Sequence, residues 1–424
     1  MLFLGFVTGA LALASTAEAT TARPRSPSPV AGHTGLLKRV SSGGSCGPGV
    51  GTCDDGLCCS SKGLCGTGGA FCTSPGCQLT YGPACDGNKT PEGADTSQVS
   101  RPKFGKVPYG VDITQCSTPR TMALSFDDGP YHYTHELLDL LKENGVVATF
   151  YVTGVNGAKG AINDPSTDNP AILRRMLADG HQIGSHSWSH ENMETVGFEE
   201  RRNQIIKNEI ALADLFGFFP TYYRPPYTSC GDECMAELAE LGYHVTNYNL
   251  DTKDWEVDGA EARVNYETLL AKVTPKSGGV ITLAHDIHAD TVHGLAQFMI
   301  DKARSQGYKL VTVGNCLGDP ESNWYRDTKS GNAVNDSLIR NAAGNPSSVE
   351  EKGEDVSRNK DIQPGGQSGR VTTQTPQTES AAANSGDDGS PTHESGAATS
   401  LGKHTALGMI FLFCFYALCN GMLR

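Results

Sequence analysis

Thr-Met-Ala-Leu-Ser-Phe-Asp-Asp-Gly-Pro, residues 121–130, decides how this chain is read. A near-continuous apolar run meets two adjacent carboxylates, and a Gly-Pro turn follows. A short apolar run bounded by turn residues reads as a strand buried on both faces. Two carboxylates at its end repel unless a cation or a proton intervenes. Further on, His-Ser-Trp-Ser-His (186–190) offers imidazoles at i and i+4, which can face one ion if they sit on a helical turn. Three of these four groups could ligate Zn²⁺ and leave one carboxylate as a base. An open metal site plus a base is what hydrolysis of an unactivated amide or ester needs.

Outward from this stretch, apolar strands alternate with amphipathic helices. Strands are expected at 121–126, 146–152, 181–185, 221–224, 244–250, 279–284 and 309–313. Helices fall between them, at 134–143 with Leu137, Leu138 and Leu141, and at 198–216 with Ile205, Ile206 and Ile210. Strands spaced by helices indicate parallel pairing, in either an open doubly wound sheet or a barrel. Asp127 and Asp128 end the first strand, His186 follows the third, Arg224 the fourth, Asp251 the fifth and His285 the sixth. In parallel α/β proteins those C-terminal ends gather on one face, where sites are built. Asp128 would bind the ion and Asp127 act on its water, with Arg224 holding that base ionised. His285 is placed to protonate a departing nitrogen, with Asp251 stabilising its imidazolium. His132, His135, His288 and His293 are given no role.

At 424 residues the chain exceeds one ordinary domain. A formal charge of −13 and a pI near 5.4 leave no electrostatic footprint for nucleic acid. Residues 1–19 read as a secretory signal ending Ala17-Glu18-Ala19, which makes disulfides plausible. Residues 89–115 are polar and read as a linker, and 326–395 as a disordered Ser/Thr-rich stalk. The apolar tail within 396–424 is short for a span of roughly 20 residues. Small residues at Ser395-Gly396-Ala397 instead fit a glycosylphosphatidylinositol signal, with Ser395 the anchor site and a lipid anchor to the membrane. A transmembrane tail is the competing reading. Asn88 and Asn335 head N-glycosylation sequons. Such a protein would work at the outer face of the plasma membrane and the cell wall, as a monomer.

Eight cysteines lie between 46 and 85 among many glycines and few aliphatic side chains. A segment that size cannot build a core, so crosslinks must hold it. Spacing alone does not choose the pairing. A zinc cluster competes, but the adjacent Cys58-Cys59 pair and the export signal oppose it. Residues 43–88 resemble the hevein-type chitin-binding module through Cys46-Gly47-Pro48, Cys58-Cys59-Ser60, Gly63-Leu64-Cys65-Gly66, Phe71-Cys72 and Gly76-Cys77-Gln78. The resemblance implies the pairs Cys46–Cys59, Cys53–Cys65, Cys58–Cys72 and Cys77–Cys85. It also implies that Ser60 and Phe71 contact N-acetylglucosamine, with Lys62 and Leu64 standing where the family carries rings. Ring faces hold sugars, so those two replacements weaken the grip.

The region 116–316 resembles the polysaccharide deacetylase family. Five motifs carry the likeness: Ser-Phe-Asp-Asp-Gly-Pro (125–130), His-Ser-Trp-Ser-His (186–190), Arg-Pro-Pro-Tyr (224–227), Asp-Thr-Lys-Asp-Trp (251–255) and Ile-Thr-Leu-Ala-His-Asp (281–286). The resemblance implies a distorted (β/α) barrel, one Zn²⁺ or Co²⁺, and hydrolysis of the N-acetyl groups of chitin to acetate and chitosan. Asp127 would be the base, Asp128, His186 and His190 the ligands and His285 the acid. The backbone N–H of Tyr227 would serve the oxyanion, and Trp255 and Leu283 would wall the acetyl methyl. Cys116–Cys316 would tie the domain's ends, and Cys230–Cys234 close a loop after Tyr227. The alternatives are a non-catalytic chitin-binding protein, or a deacetylase of xylan or peptidoglycan.

Overall fold

The computed structural model describes residues 38–273 and 278–344. The signal at 1–19, the anchor signal with Ser395, and most of the expected stalk lie outside the described residues. Among the described residues no helix is long and apolar enough to cross a membrane.

The catalytic region is built on a ten-stranded sheet whose pairings are all parallel. Starting from Leu250–Asp251, which joins off the main path, it runs through Val280–His285, Ser125–Asp127, Thr149–Val152, Gln182–Ser185 and Tyr222–Tyr223 to His244–Thr246. The first and last of these belong to one run of chain, so the path returns on itself and makes a distorted barrel. Two asparagines produce the crossing. Asn247 N–H bonds the carbonyl of Ile113, whereas Asn249 N–H bonds that of Ile281 on the opposite neighbour. The expected strand at 244–250 is therefore two short strands. The expected strand at 121–126 also divides, because Thr121–Ala123 pairs with Lys309–Val311 and Ser125–Asp127 with Thr149–Val152. Asp112–Ile113 adds a further strand beside His244–Thr246.

Helices cover the sheet where the periodicity placed them, at Thr134–Glu143 and Phe198–Phe216. Leu137, Leu138, Leu141, Ile205, Ile206 and Ile210 are buried. Disulfides join Cys116–Cys316 and Cys230–Cys234.

Residues 89–115 are not a free linker. Thr96 is buried and its hydroxyl donates to Glu209 Oε2 at 2.6 Å, while Arg101 makes a bidentate pair with Glu209 at 2.7 and 2.8 Å. A lone polar segment gives no sign of such a strap, because its partner is a buried charge more than a hundred residues away in sequence. The stalk boundary is also corrected. Tyr325–Asp327 pairs antiparallel with Phe218–Pro220, and Asp336–Ala342 is a helix capped by Asn335. Val334 and Ile339 are buried. Two apolar side chains at widely spaced positions anchor this segment, too few for composition to reveal.

In the cysteine module the disulfides are Cys46–Cys59, Cys53–Cys65, Cys58–Cys72 and Cys77–Cys85. Sulfurs so paired cannot serve a zinc cluster. Ser60 Oγ is turned inward, bonding the Leu64 carbonyl at 3.2 Å, while Leu64 is 41% exposed. Phe71 is half-buried against Gly66. Asn88 Nδ2, the atom that would carry a glycan, donates to the carbonyls of Leu79 (2.9 Å) and Gly82 (3.0 Å). Asn335 differs, since it is exposed and uses its side-chain oxygen as the cap.

Candidate active site

The strand ends deliver their side chains to one cleft of about 330 Å³. Asp127 closes Ser125–Asp127 and His285 closes Val280–His285; these two residues are register partners. Asp128 N–H bonds the Tyr151 carbonyl, His186 N–H that of Val152, and Arg224 N–H that of Ser185. Each reactive residue is thus fixed through the backbone of the adjoining strand. Asp127, Asp128, His186, His190, Arg224, Tyr227, Trp255, Leu283 and His285 all line the cleft, as does His288, which the sequence reading passed over.

One ligand atom each from Asp128, His186 and His190 lies within 4.8 Å of the others. Asp128 Oδ1 stands 3.2 Å from His190 Nε2 and 3.7 Å from His186 Nε2. That oxygen is buried with no hydrogen-bond partner. A buried, unpartnered carboxylate oxygen beside two imidazole nitrogens fits a divalent cation. His186 Nδ1 meets the Arg224 carbonyl at 2.6 Å, which leaves Nε2 facing the cluster. Burial, and then the charge of His190, push His186 down to about 3, keeping it in the neutral form that ligates. Burial works to raise Asp128, but His190 and His186 outweigh it and hold the carboxyl at about 2.

The two histidines do not sit on a helical turn, as their spacing suggested. Ser187 has φ 68° and His190 φ 59°, so the segment is a left-handed loop. Trp188 packs on Gly154, where a Cβ would stand 1.9 Å from its ring. The loop bends around that contact and presents both imidazoles to one point.

Asp127 faces Arg224, with Nη1 2.7 Å from its Oδ1. The guanidinium is buried, donates to the carbonyls of Thr246 and Asn247, and stacks 4.0 Å over the Tyr151 ring. Burial pushes Asp127 up to about 6 against the opposing pull of Arg224. A carboxylate near 6 is a competent base at neutral pH.

For His285 the structure corrects the partner. Asp254, not Asp251, accepts Nδ1–H at 2.7 Å. Asp254 also receives the His285 backbone N–H (2.7 Å) and the Thr291 hydroxyl (2.6 Å). Asp251 instead accepts the backbone N–H of Lys253 at 2.8 Å. Lys253 has φ 58°, and that reversal carries Asp254, three residues on, beneath the imidazole. Burial alone would lower His285, but the bond and charge of Asp254 raise it to about 9. The group is therefore a proton donor at neutral pH.

Tyr227 lies in a tight turn with φ 58°. The turn's two hydrogen bonds are donated by Thr228 and Ser229, so the Tyr227 N–H is outside that pattern. Trp255 is 54% exposed at the rim, whereas Leu283 is buried at the floor. One supporting residue gave no sequence signal. Lys159 donates to the carbonyls of Asp128 and Gly129 and to Thr153 Oγ1, each at 2.8 Å.

Residues 114–246 match the polysaccharide deacetylase family. A chitin deacetylase of Pestalotiopsis sp is 45% identical over 237 residues, covering 55% of this chain and 76% of that protein. A chitin deacetylase of Colletotrichum lindemuthianum is 43% identical over 224 residues, covering 52% of this chain and 89% of that protein. The solved structure of the C. lindemuthianum chitin deacetylase is 41% identical and covers 52% of this chain and 97% of its own, with a TM-score of 0.49. The chain belongs to the polysaccharide deacetylase family. It is a deacetylase, a hydrolase acting on acetyl groups.

Proposed function

We propose that this protein is a metal-dependent chitin deacetylase that removes acetate from N-acetylglucosamine units and leaves glucosamine. The observation that carries the reading is the pairing of Asp127 with Arg224 and of His285 with Asp254 in the cleft that also holds the Asp128–His186–His190 cluster. An acid, a base and an ion site face one cleft. The relatives named as chitin deacetylases supply the substrate.

A Zn²⁺ or Co²⁺ ion held by Asp128, His186 and His190 would supply Lewis-acid polarisation and lower the pKa of a water from about 15.7 toward 7. Asp127, kept ionised by Arg224, takes a proton from the attacking water. The Tyr227 N–H donates to the oxygen where charge develops, a contact worth about 10²–10³ in rate. His285 gives its proton to the nitrogen as the C–N bond breaks, so acetate and a free amine leave. Leu283 and Trp255 wall the acetyl methyl.

Ser60 and Phe71 would add a modest grip on the polymer, limited by Lys62 and Leu64. Six disulfides and the leading apolar segment support export. Anchoring through Ser395, glycans at Asn88 and Asn335 and a monomeric enzyme at the cell wall complete the proposal. Mass spectrometry of defined chitin oligomers, with and without chelator, tests it. Acetate release from acetylxylan with none from chitin oligomers would sink the substrate assignment.

A further inference from the structure

The cysteine module is held to the catalytic region by more than the chain that joins them. Two of its contacts fall on loops that carry or brace candidate ion ligands. At the first, Gly87 is seated on Ser189, between His186 and His190; a Cβ there would stand 2.6 Å from Ser189 Oγ. Lys207 fixes the seat by donating to the carbonyls of Gly87 (2.9 Å) and Asn88 (3.1 Å). From the other side Gln204, on the same helix, accepts the Ser189 N–H at 2.7 Å and donates to its Oγ at 2.8 Å. Ser189 is fully buried between them.

At the second point Gly157 N–H donates to the Ser74 carbonyl at 3.1 Å. Two residues further on stands Lys159, which braces the Asp128 turn. Within the module the two points are one unit. Asp86 Oδ1 accepts both the Ser74 N–H (2.9 Å) and its hydroxyl (2.5 Å), and Cys77–Cys85 closes the same segment.

We propose that the cysteine module clamps the ion site, spanning the loop of His186 and His190 and the loop that supports Asp128. This rests on the ion-site reading above. Both loops hold non-glycine residues at positive φ, conformations that persist only where the surroundings over-determine them. Groups bonded directly to the ligands are worth about 10–100-fold in ion affinity; the module acts one step further out, through Ser189 and Gly157.

The test uses the full secreted chain and measures Zn²⁺ affinity by chelator competition, with the Co²⁺ visible spectrum as a second readout. Lys207→Met and Gly87→Val should each weaken Zn²⁺ binding by up to about tenfold, the low end of what a direct partner of a ligand gives, and alter the Co²⁺ bands. Lys207→Arg should recover most of the affinity. Val50→Ser, at an exposed module position, should leave it at the parent value. Measured well below the unfolding midpoint, a merely structural role would not move the dissociation constant of the folded protein. Parent-like affinity in Lys207→Met overturns the clamp, including where Gly87→Val fails to fold. Asp128→Ala separates the two ideas: if it too binds Zn²⁺ like the parent, the ion-site reading itself fails.

Discussion

Asp254→Asn isolates what the buried carboxylate does for His285. The imidazole stands at about 9 against an ordinary 6.5. That difference is about 3 kcal/mol between the two protonation states. Asparagine keeps the shape but removes the charge, so burial, which lowers His285, is then opposed only by Asp128 and Asp127. A return of His285 to its ordinary 6.5 lowers the protonated fraction at pH 7.5 from about 97% to about 9%, so kcat/KM drops about tenfold there. The alkaline limb of the pH profile moves down from near 9 toward the Asp127 limb near 6 and narrows the bell. The assay is kcat/KM on a soluble chitin oligomer from about pH 5 to about 10 for both proteins. A variant that keeps its alkaline limb near 9 refutes the assignment. Stability carries the same sign. The folded-state pKa of His285 is raised, so its contribution is full below 6.5 and lost as pH rises through about 9. Urea unfolding at the two ends of that window should show the loss in the parent and not in the variant.

Asp127→Asn should lower kcat by about 10²–10⁴ while Zn²⁺ affinity, read by chelator competition, survives. Arg224→Met removes the cation that opposes burial, so the acid limb should rise above about 6 in the pH profile. Chelation should abolish acetate release, and added Zn²⁺ or Co²⁺ restore it. Ile339→Ala should cost about 2–4 kcal/mol in denaturant unfolding if the helix Asp336–Ala342 belongs to the catalytic fold.

The barrel was legible where a side chain's own chemistry marks its place. Asp127, His186, Arg224 and His285 are reactive residues at strand ends, and parallel pairing brings strand ends together whatever the loops do. Leu137, Leu138 and Leu141 announced their helix by period alone. The partnership of Asp254 with His285 was hidden, because Asp251 and Asp254 are alike in type. Only the left-handed Lys253 decides which of them points at the imidazole. Thr96, Arg101 and Glu209 were hidden for another reason: each looks like a solvated residue until the strap lies on the Phe198–Phe216 helix. Lys159 belongs with them, a lysine in a glycine-rich loop whose ammonium meets three acceptors at once.

The cleft is also where the backbone departs most from ordinary conformations. Asp128, Ser187, His190, Tyr227 and Lys253 all have positive φ without being glycine. Each such residue costs on the order of 1–3 kcal/mol, so each requires a contact that ordinary backbone would not. Lys159 and the Thr153 hydroxyl hold the Asp128 carbonyl. Ser187 Oγ accepts the His190 N–H at 3.1 Å, and Gln204 grips Ser189 between them. Cys230–Cys234 closes the chain shortly after Tyr227. Asp251 takes the Lys253 N–H. Asp251 therefore bears on His285 indirectly: by holding the turn it sets where Asp254 stands. Asp251→Ala should consequently mimic a weakened form of Asp254→Asn, with a smaller downward shift of the alkaline limb. An Asp251→Ala profile identical to the parent would show that the turn keeps its shape without it.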